Sequence, residues 1–174
     1  AHLAQAGAEL LLVPNGSPFD VEKFHQRLDL AHQRVVESGL PIAYVNQVGG
    51  QDELVFDGGS FVMNSDGSLA HLLPFWREAL VLSRWTNAGG TYRCEGDAHW
   101  TKEPRLASIY NAMVLGLRDY AGKNGFRGVV LGLSGGIDSA LTAAVAVDAL
   151  GADRVRGVRL PSRFTSDASM TDAT

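Results

Sequence analysis

The sequence predicts an α/β protein in two parts, and two observations carry this prediction. Residues 1–72 alternate between strand and helix patterns before they turn into a hairpin pattern. Residues 127–161 give a strand, a glycine-rich bend, a helix and a second strand, which is the pattern of a βαβ unit. Because a βαβ unit places its two strands in parallel, we expect the second part to begin a parallel sheet.

Three short patterns describe the start of the chain. Residues 1–7 predict the end of a helix that Gly7 closes. The apolar run AELLLVP at 8–14 predicts a buried strand that its proline stops. The run LPIAYVNQVG at 40–49 predicts a second strand.

An amphipathic helix is predicted between these strands, and it ends at Gly39. Its apolar face has four-three-four spacing: Phe24, Leu28, Ala31 and Val35. Further on, the Asn-Ser-Asp-Gly turn at 64–67 lies between two alternating runs and predicts a β-hairpin. The preceding loop has three carboxylates that suggest no acid–base pair, and we expect them to be solvated: Asp52, Glu53 and Asp57.

Residues 73–104 have no sustained period and are interpreted as a connecting segment. Five aromatic residues predict that this segment packs against the rest of the protein: Phe75, Trp76, Trp85, Tyr92 and Trp100. A helix that starts near residue 105 and ends in the glycines at 122 and 125 follows. The βαβ unit then comprises a strand at 127–133, a helix at 138–150 closed by Gly151, and a strand at 154–161.

The composition excludes several classes of protein. The chain has 174 residues and a formal net charge of −4, which gives no general attraction to nucleic acid or to an anionic membrane. No apolar run approaches the roughly 18 residues of a membrane span. The single cysteine, Cys94, excludes an internal disulfide and a CxxC metal site, so we expect a cytoplasmic protein. The sequence begins without Met and stops without a terminating signal, so we expect a fragment cut at both ends.

The glycine-rich bend has the composition of an anion site. N–H groups at a helix N-terminus bind anions, and adjacent glycines let a phosphate approach the backbone. Hydroxyls at Ser134 and Ser139 can donate to phosphate oxygens, and Asp138 can hold Mg²⁺. A purely structural turn is the alternative, with Ser134 as helix N-cap and Asp138 as a first-turn carboxylate. The sequence of this bend matches neither the Walker pattern nor the dinucleotide-binding pattern.

The SGGxDS pattern resembles the pyrophosphate-binding loop of the ATP pyrophosphatases. The longer stretch at 131–173, including LPSRFTSDAS, is similar to NAD synthetases of the bacterial glutamine-dependent type. That resemblance implies adenylation of deamido-NAD with ATP and Mg²⁺, followed by displacement of AMP by ammonia. It assigns the ATP phosphates to one loop, with Mg²⁺ on Asp138: Gly132, Leu133, Ser134, Gly135, Gly136, Ile137, Asp138 and Ser139.

The same resemblance places Arg159 or Leu160 near the adenosine, although a solvated strand-end charge is the alternative for Arg159. It also implies a loop over the site that contains Ser162, Arg163 and Thr165.

Residues 1–72 resemble the later part of a nitrilase-type, or carbon–nitrogen hydrolase, amidase domain, notably in GAELLLVPNGSPF and LPIAYVNQVGGQDELVFDGGSFVMNSDG. Such amidases use Cys, Glu and Lys, and none of the three matches a position here, so we expect no catalytic residue in this chain. Cys94 is followed by Glu95 but sits in the connecting segment, and we interpret it as a structural or exposed thiol. Ser17 and Lys23 match the family's contacts to substrate glutamine. A turn serine and a solvated helix lysine are the alternatives.

Together these resemblances imply the end of an αββα nitrilase-like sandwich followed by the first βαβ unit of a doubly wound parallel sheet. We expect a glutaminase part at 1–90, a connector at 91–104 and a synthetase part at 105–174. The substrates implied are deamido-NAD, L-glutamine and ATP, in a homo-oligomer without nucleic-acid or membrane partners. The fragment alone is expected to be inactive. The alternatives are another amidotransferase with this loop, a non-catalytic nucleotide-binding module, and a free-standing nitrilase, against which the βαβ unit argues.

Overall fold

A computed structural model describes residues 2–159. The chain divides into two compact units, one made of residues up to 49 with 54–109, the other of residues 50–53 with those from 110 onward. Within residues 2–159, none of the helices has the length and apolar character that a membrane span requires.

The first unit is built on a four-stranded sheet in the order β1-β2-β5-β6. Strand β1 (Leu11–Asn15) pairs in parallel with β2 (Ile42–Asn46), and β2 pairs antiparallel with β5 (Phe61–Met63). The predicted hairpin is confirmed, because β5 pairs antiparallel with β6 (Leu69–Leu72) across the Asn-Ser-Asp-Gly turn. Strands β3 (Val48–Gln51) and β4 (Leu54–Asp57) pair separately, so the strand predicted at 40–49 divides at Gln47.

Helix α2 (Lys23–Ser38) covers this sheet, after the short helix α1 (His2–Gln5). Gly39 adopts a left-handed conformation with φ 68° and closes α2, as predicted. The predicted apolar face is confirmed in position, and the core contains Phe24, Ala31, Val35, Ile42, Tyr44, Phe61 and Met63. Full burial of one such side chain stabilises the fold by about 1.5–3 kcal/mol.

Two predictions for this unit are wrong. Strand β1 does not stop at Pro14 but continues to Asn15, with Pro14 in register with Val45. The strand is also not buried, since Leu12 is 70% exposed. The proline is tolerated because β1 lies at an edge of the described sheet, where it needs no ladder partner on its outer side. Leu12 is exposed because it lies on the opposite face from Leu11 and Val13, which pack against the core.

The connecting segment contains a hairpin that the sequence analysis missed. Strand β7 (Trp85–Ala88) pairs antiparallel with β8 (Thr91–Cys94). The two turn residues, Gly89 and Gly90, have φ values of 67° and 88°. A two-residue hairpin turn of type I′ requires positive φ at both positions, which Gly-Gly allows. This dipeptide was the signal that could have revealed the hairpin.

The expectation that the aromatic segment packs is confirmed. The Trp100 ring lies 5.2 Å from Phe24 and 4.2 Å from His25, measured between centroids. The Trp76 indole N–H donates to the Glu103 carboxylate at 3.0 Å. The ring contacts pack Trp100 against the N-terminal part of α2, and the Trp76–Glu103 hydrogen bond links the two ends of residues 76–103.

The second unit contains the predicted βαβ motif. Strand β9 (Val129–Gly132) pairs in parallel with β10 (Val155–Val158), and helix α4 (Ile137–Leu150) connects them. Gly151 closes α4 as predicted, and its N–H donates to the Val147 carbonyl at 2.8 Å. Helix α3 (Arg105–Lys123) runs through Gly122 and ends before Gly125. The core of this unit joins helix and strand residues: Ala121, Ala149 and Leu150, with Val114, Leu117, Val129 and Val155 packed against them.

Candidate functional site

The glycine-rich loop lies at the carboxyl end of β9 and leads directly into α4. The Leu133 N–H donates to the Val158 carbonyl at 2.9 Å, which ties the start of the loop to β10. Gly135 has φ 77°, a left-handed conformation that favours glycine. Gly136 follows in an extended conformation and is the N-cap of α4, with no side-chain hydrogen bond at the cap. The chain therefore reverses at Gly135 and presents the first turn of α4 at this edge of the sheet.

Two serine hydroxyls brace this loop. The Ser139 hydroxyl donates to the Gly136 carbonyl at 2.9 Å and accepts from the Ser134 N–H at 3.3 Å. The Ser134 hydroxyl oxygen accepts from the Gly136 N–H at 3.3 Å and lies 3.2 Å from the Ser139 oxygen. Ser134 is therefore not the N-cap of α4, because the turn at Gly135 moves the helix start two residues further along.

The first turn of α4 has the features of an anion site. Helix geometry leaves the first N–H groups of α4 without intrahelical carbonyl partners, and Ile137 and Asp138 are exposed there. These N–H groups carry partial positive charge and point away from the helix body. The arrangement can bind a phosphate by its backbone.

Asp138 is the carboxylate that could hold a metal at this turn. It lies in the first turn of α4, as predicted, and is exposed. Residues 2–159 contain no group of three or more His, Cys, Asp and Glu side chains placed to hold a metal ion. Mg²⁺ is commonly bound by one or two carboxylates with substrate phosphates and water. A single exposed carboxylate beside a turn that can bind phosphate fits that pattern.

Arg159 directly follows β10 and is exposed. Because β9 and β10 are parallel, Arg159 and the glycine-rich loop both follow the carboxyl ends of their strands. Leu160, Ser162, Arg163 and Thr165 lie outside the described residues.

The two residues matched to glutamine binding, Ser17 and Lys23, line one cleft in the first unit. The cleft has a volume of about 370 Å³, within the range of small-molecule sites. It lies beside α2 and the ends of β1 and β2, and its other lining residues include Asn15, Gln26, Arg34 and Tyr44. Proximity around one cleft is what a shared ligand requires.

A buried polar network at the wall of this cleft was missed by the sequence analysis. Arg27 lies on the buried face of α2, and its guanidinium contacts both carboxylate oxygens of Asp57 at 2.8 and 3.0 Å. The expectation that Asp57 is solvated is therefore wrong, since only 2% of Asp57 is exposed. Burial raises the pKa of the Asp57 carboxyl while Arg27 opposes that rise. A signal was available in the sequence, because Arg27 falls among the apolar positions of the α2 face.

Asn46 joins this network to the loop that carries Ser17. Its side-chain amide donates to the Ser17 carbonyl at 3.2 Å and to Asp57 at 3.3 Å. Its side-chain oxygen accepts from the Ser17 N–H at 2.9 Å. Ser17 is therefore held from the end of β2 as well as from α2.

Cys94 has the surroundings of a structural thiol. It is 1% exposed and packs with Val62, Ala70 and Trp85. Its backbone exchanges hydrogen bonds with the Asn64 side chain at 2.8 and 3.2 Å. Burial, with a smaller effect from the Glu95 carboxylate, raises the pKa of the Cys94 thiol, which is the opposite of activation.

Comparison with known proteins assigns each half to a family profile. Residues 1–87 match the profile described as carbon-nitrogen hydrolase, and residues 109–174 match NAD synthase. Over 171 residues the chain is 52% identical to the glutamine-dependent NAD(+) synthetase of Rhodobacter capsulatus, covering 98% of this chain and 31% of the relative. The corresponding synthetase of Xanthomonas campestris is 49% identical, covering 97% of this chain and 31% of the relative.

A solved structure of such a relative is also similar to this chain. The glutamine-dependent NAD+ synthetase from Acinetobacter baumannii, determined in complex with adenosine diphosphate, has a TM-score of 0.90 and 43% identity, covering 99% of this chain and 32% of that chain. This chain thus spans about 31% of the length of the relatives it matches. The expected fold class, the end of a nitrilase-like fold followed by the start of a synthetase fold, is confirmed.

Because the hydrolase profile covers half of the sequence, the chain belongs to the carbon–nitrogen hydrolase family, and its second half carries the NAD synthase sequence found with that domain in the glutamine-dependent NAD(+) synthetases.

Proposed function

We propose that this chain is part of a ligase that amidates deamido-NAD to NAD, with ATP as the energy source and glutamine as the source of ammonia. The observation that carries the proposal is the exposed glycine and serine turn at the start of α4, within a segment that matches NAD synthase. The relatives at 52% and 49% identity are glutamine-dependent NAD(+) synthetases, which supports the same activity.

The chemistry consists of two displacements. A carboxylate oxygen of deamido-NAD attacks the α-phosphorus of ATP, and the bond from that phosphorus to the bridging oxygen of pyrophosphate breaks. Ammonia then attacks the carbonyl carbon of the adenylate, AMP leaves with the electron pair of the carbon–oxygen bond, and the nitrogen loses a proton. Neither step needs a protein nucleophile, so positioned hydrogen-bond donors can stabilise the departing pyrophosphate.

The loop from Gly132 to Ser139 binds the ATP phosphates in this proposal. The N–H groups of the first turn of α4 and the Ser134 hydroxyl can donate to the charge that develops on pyrophosphate. The Ser139 hydroxyl, which donates to the Gly136 carbonyl, holds the loop in position. Mg²⁺, when bound, neutralises phosphate charge, and Asp138 would hold it. Arg159 contributes near the adenosine from the carboxyl end of β10.

The first half contributes to ammonia supply. Ser17 and Lys23 bind glutamine in the cleft beside α2, while the amidase nucleophile, base and lysine have no counterpart in this chain. The glutaminase part comprises 1–90, the connector 91–104 and the synthetase part 105–174. The full-length protein is expected to be a cytoplasmic homo-oligomer without nucleic-acid or membrane partners.

The proposal is tested by ATP–pyrophosphate exchange in the full-length protein. We expect deamido-NAD to support exchange and xanthylate, the substrate of a different amidotransferase with this loop, to support none. Exchange with xanthylate alone would favour that other amidotransferase. ATP binding without exchange on either substrate would favour a non-catalytic nucleotide-binding module.

A further inference from the structure

The Arg27 guanidinium makes five hydrogen bonds inside the first unit, and all three of its nitrogens take part. Its Nε donates to the Ser17 hydroxyl oxygen at 3.1 Å, and its Nη1 donates to the two Asp57 carboxylate oxygens. Its Nη2 donates to the carbonyls of Ser17 and Pro18 at 2.9 and 3.2 Å. Arg27 lines the cleft but is only 5% exposed, and each of its nitrogens already donates to a group of the protein.

These contacts fix the position of Ser17 and leave its hydroxyl as a hydrogen-bond donor toward the cleft. The Ser17 backbone is held at its N–H by Asn46 and at its carbonyl by Arg27 and Asn46. Its hydroxyl oxygen accepts from the Arg27 Nε. A hydroxyl has one hydrogen to donate, so an oxygen that already accepts from a cation keeps that hydrogen for another acceptor. Ser17 lines the cleft, so its free donor can serve a ligand there.

We propose that Arg27 is a positioning residue for glutamine binding. It holds the Ser17 hydroxyl so that its hydrogen points to an oxygen atom of the substrate, and Asp57 compensates the buried positive charge. This inference rests on the proposed function, in which Ser17 contacts glutamine.

The geometry specifically requires arginine. A lysine ammonium has three donors around a single centre and cannot span Asp57, the Ser17 hydroxyl and two carbonyls in the planar arrangement of a guanidinium. Arg27→Lys therefore keeps the buried positive charge beside Asp57 but loses the hold on Ser17.

The test is steady-state glutaminase kinetics of the full-length protein with R27K, S17A and the double variant. We expect R27K to raise KM for glutamine about tenfold, the size of one lost hydrogen bond, and to leave kcat within about twofold. In the S17A background R27K should add less than about twofold to KM, because the two residues act through one contact. Synthesis of NAD from free ammonium should be unchanged in every variant, which shows that the protein is folded.

Asp57→Asn is the matched control. It disturbs the same buried pair, but the asparagine oxygen still accepts from Nη1, and the three contacts to Ser17 and Pro18 remain. We expect D57N to lower the thermal unfolding temperature while KM for glutamine stays within about twofold. A merely structural role for Arg27 predicts instead that KM follows stability in both variants.

A second variant covers the case in which R27K does not fold. R27M/D57L replaces the ion pair with apolar side chains, an exchange that is often neutral for stability, and it should raise KM as R27K does. Equal effects of R27K and D57N on KM, or additive effects of R27K and S17A, would overturn the role of Arg27. An unchanged KM in S17A would overturn both this role and the proposed glutamine site, whereas an effect of S17A without one of R27K would overturn the role of Arg27 alone.

Discussion

Gly135 and Gly136 are adjacent in the glycine-rich loop, but the structure gives them different backbone requirements. Gly135 has φ 77°, in the left-handed region, whereas Gly136 has φ −93° and ψ 158°, which any residue can adopt. A Cβ on Gly136 would come no closer than 3.4 Å to another group, the Ser134 hydroxyl, which is an ordinary contact. Alanine at the two positions therefore separates backbone strain from the added methyl group.

The magnitude follows from these conformations. Gly135→Ala costs roughly 1–2 kcal/mol, because an L-residue is strained in the left-handed region. Gly136→Ala restricts the unfolded chain without strain but places alanine at the N-cap, where it is less favourable than glycine, so the two effects oppose each other and the net change is within about 1 kcal/mol of zero. If the free loop relaxes in G135A, ATP must restore it, and KM for ATP rises by roughly 5–30-fold.

Two assays on the full-length protein test this prediction. Without nucleotide, the thermal unfolding temperature should fall in G135A and stay close to that of wild type in G136A. KM for ATP in the exchange reaction should rise in G135A, and any effect of G136A reports how closely phosphate approaches that position. Equal unfolding temperatures for the two variants would refute the argument that Gly135 is required for its conformation.

Three further outcomes are expected. D138N should raise the Mg²⁺ concentration needed for half-maximal ATP–pyrophosphate exchange at least tenfold. D148N, on the same helix, is the control, and an unchanged Mg²⁺ dependence in D138N would show that Asp138 does not hold the metal. Because burial raises the pKa of the Cys94 thiol, this thiol should react with a thiol reagent at pH 8 only when the protein is unfolded. The C94S variant identifies the labelling that belongs to Cys94, and rapid labelling of Cys94 in the native protein would contradict the prediction. The Ser68 hydroxyl and N–H, together with Arg93, hold the pKa of Asp66 well below its ordinary value. Wild type should therefore be slightly more stable than D66N at neutral pH, and denaturation curves should converge as pH falls below about 3.9; a difference that grows in acid would contradict the sign.

The elements defined by local patterns were predictable. The spacing of Phe24, Ala31 and Val35 and the glycine at 39 predict α2. The observed helix contains these three residues and ends before Gly39. The βαβ unit has the same local character, because a short apolar run, a glycine bend and an alanine-rich helix specify it without distant partners. The glycine-rich loop was found for this reason.

The features that depend on distant partners were not predictable. Arg27 and Asp57 are 30 residues apart, and only the tertiary fold, which brings the end of β4 beside α2, makes them a buried pair. The position of β1 at an edge, which allows Pro14 within the strand, likewise depends on which strands pair. The β7–β8 hairpin is different, because its Gly-Gly turn was visible in the sequence but lay among residues without regular alternation.

The most direct test of the central claim follows nitrogen from glutamine into product. The full-length protein is incubated with deamido-NAD, ATP, Mg²⁺ and glutamine labelled with ¹⁵N in the side-chain amide, with unlabelled ammonium in solution. We expect NAD with ¹⁵N in its carboxamide, formed together with AMP and pyrophosphate. Absence of NAD, or NAD that contains only unlabelled nitrogen, would contradict the proposal that this chain joins a glutamine-derived ammonia supply to an ATP-dependent amidation.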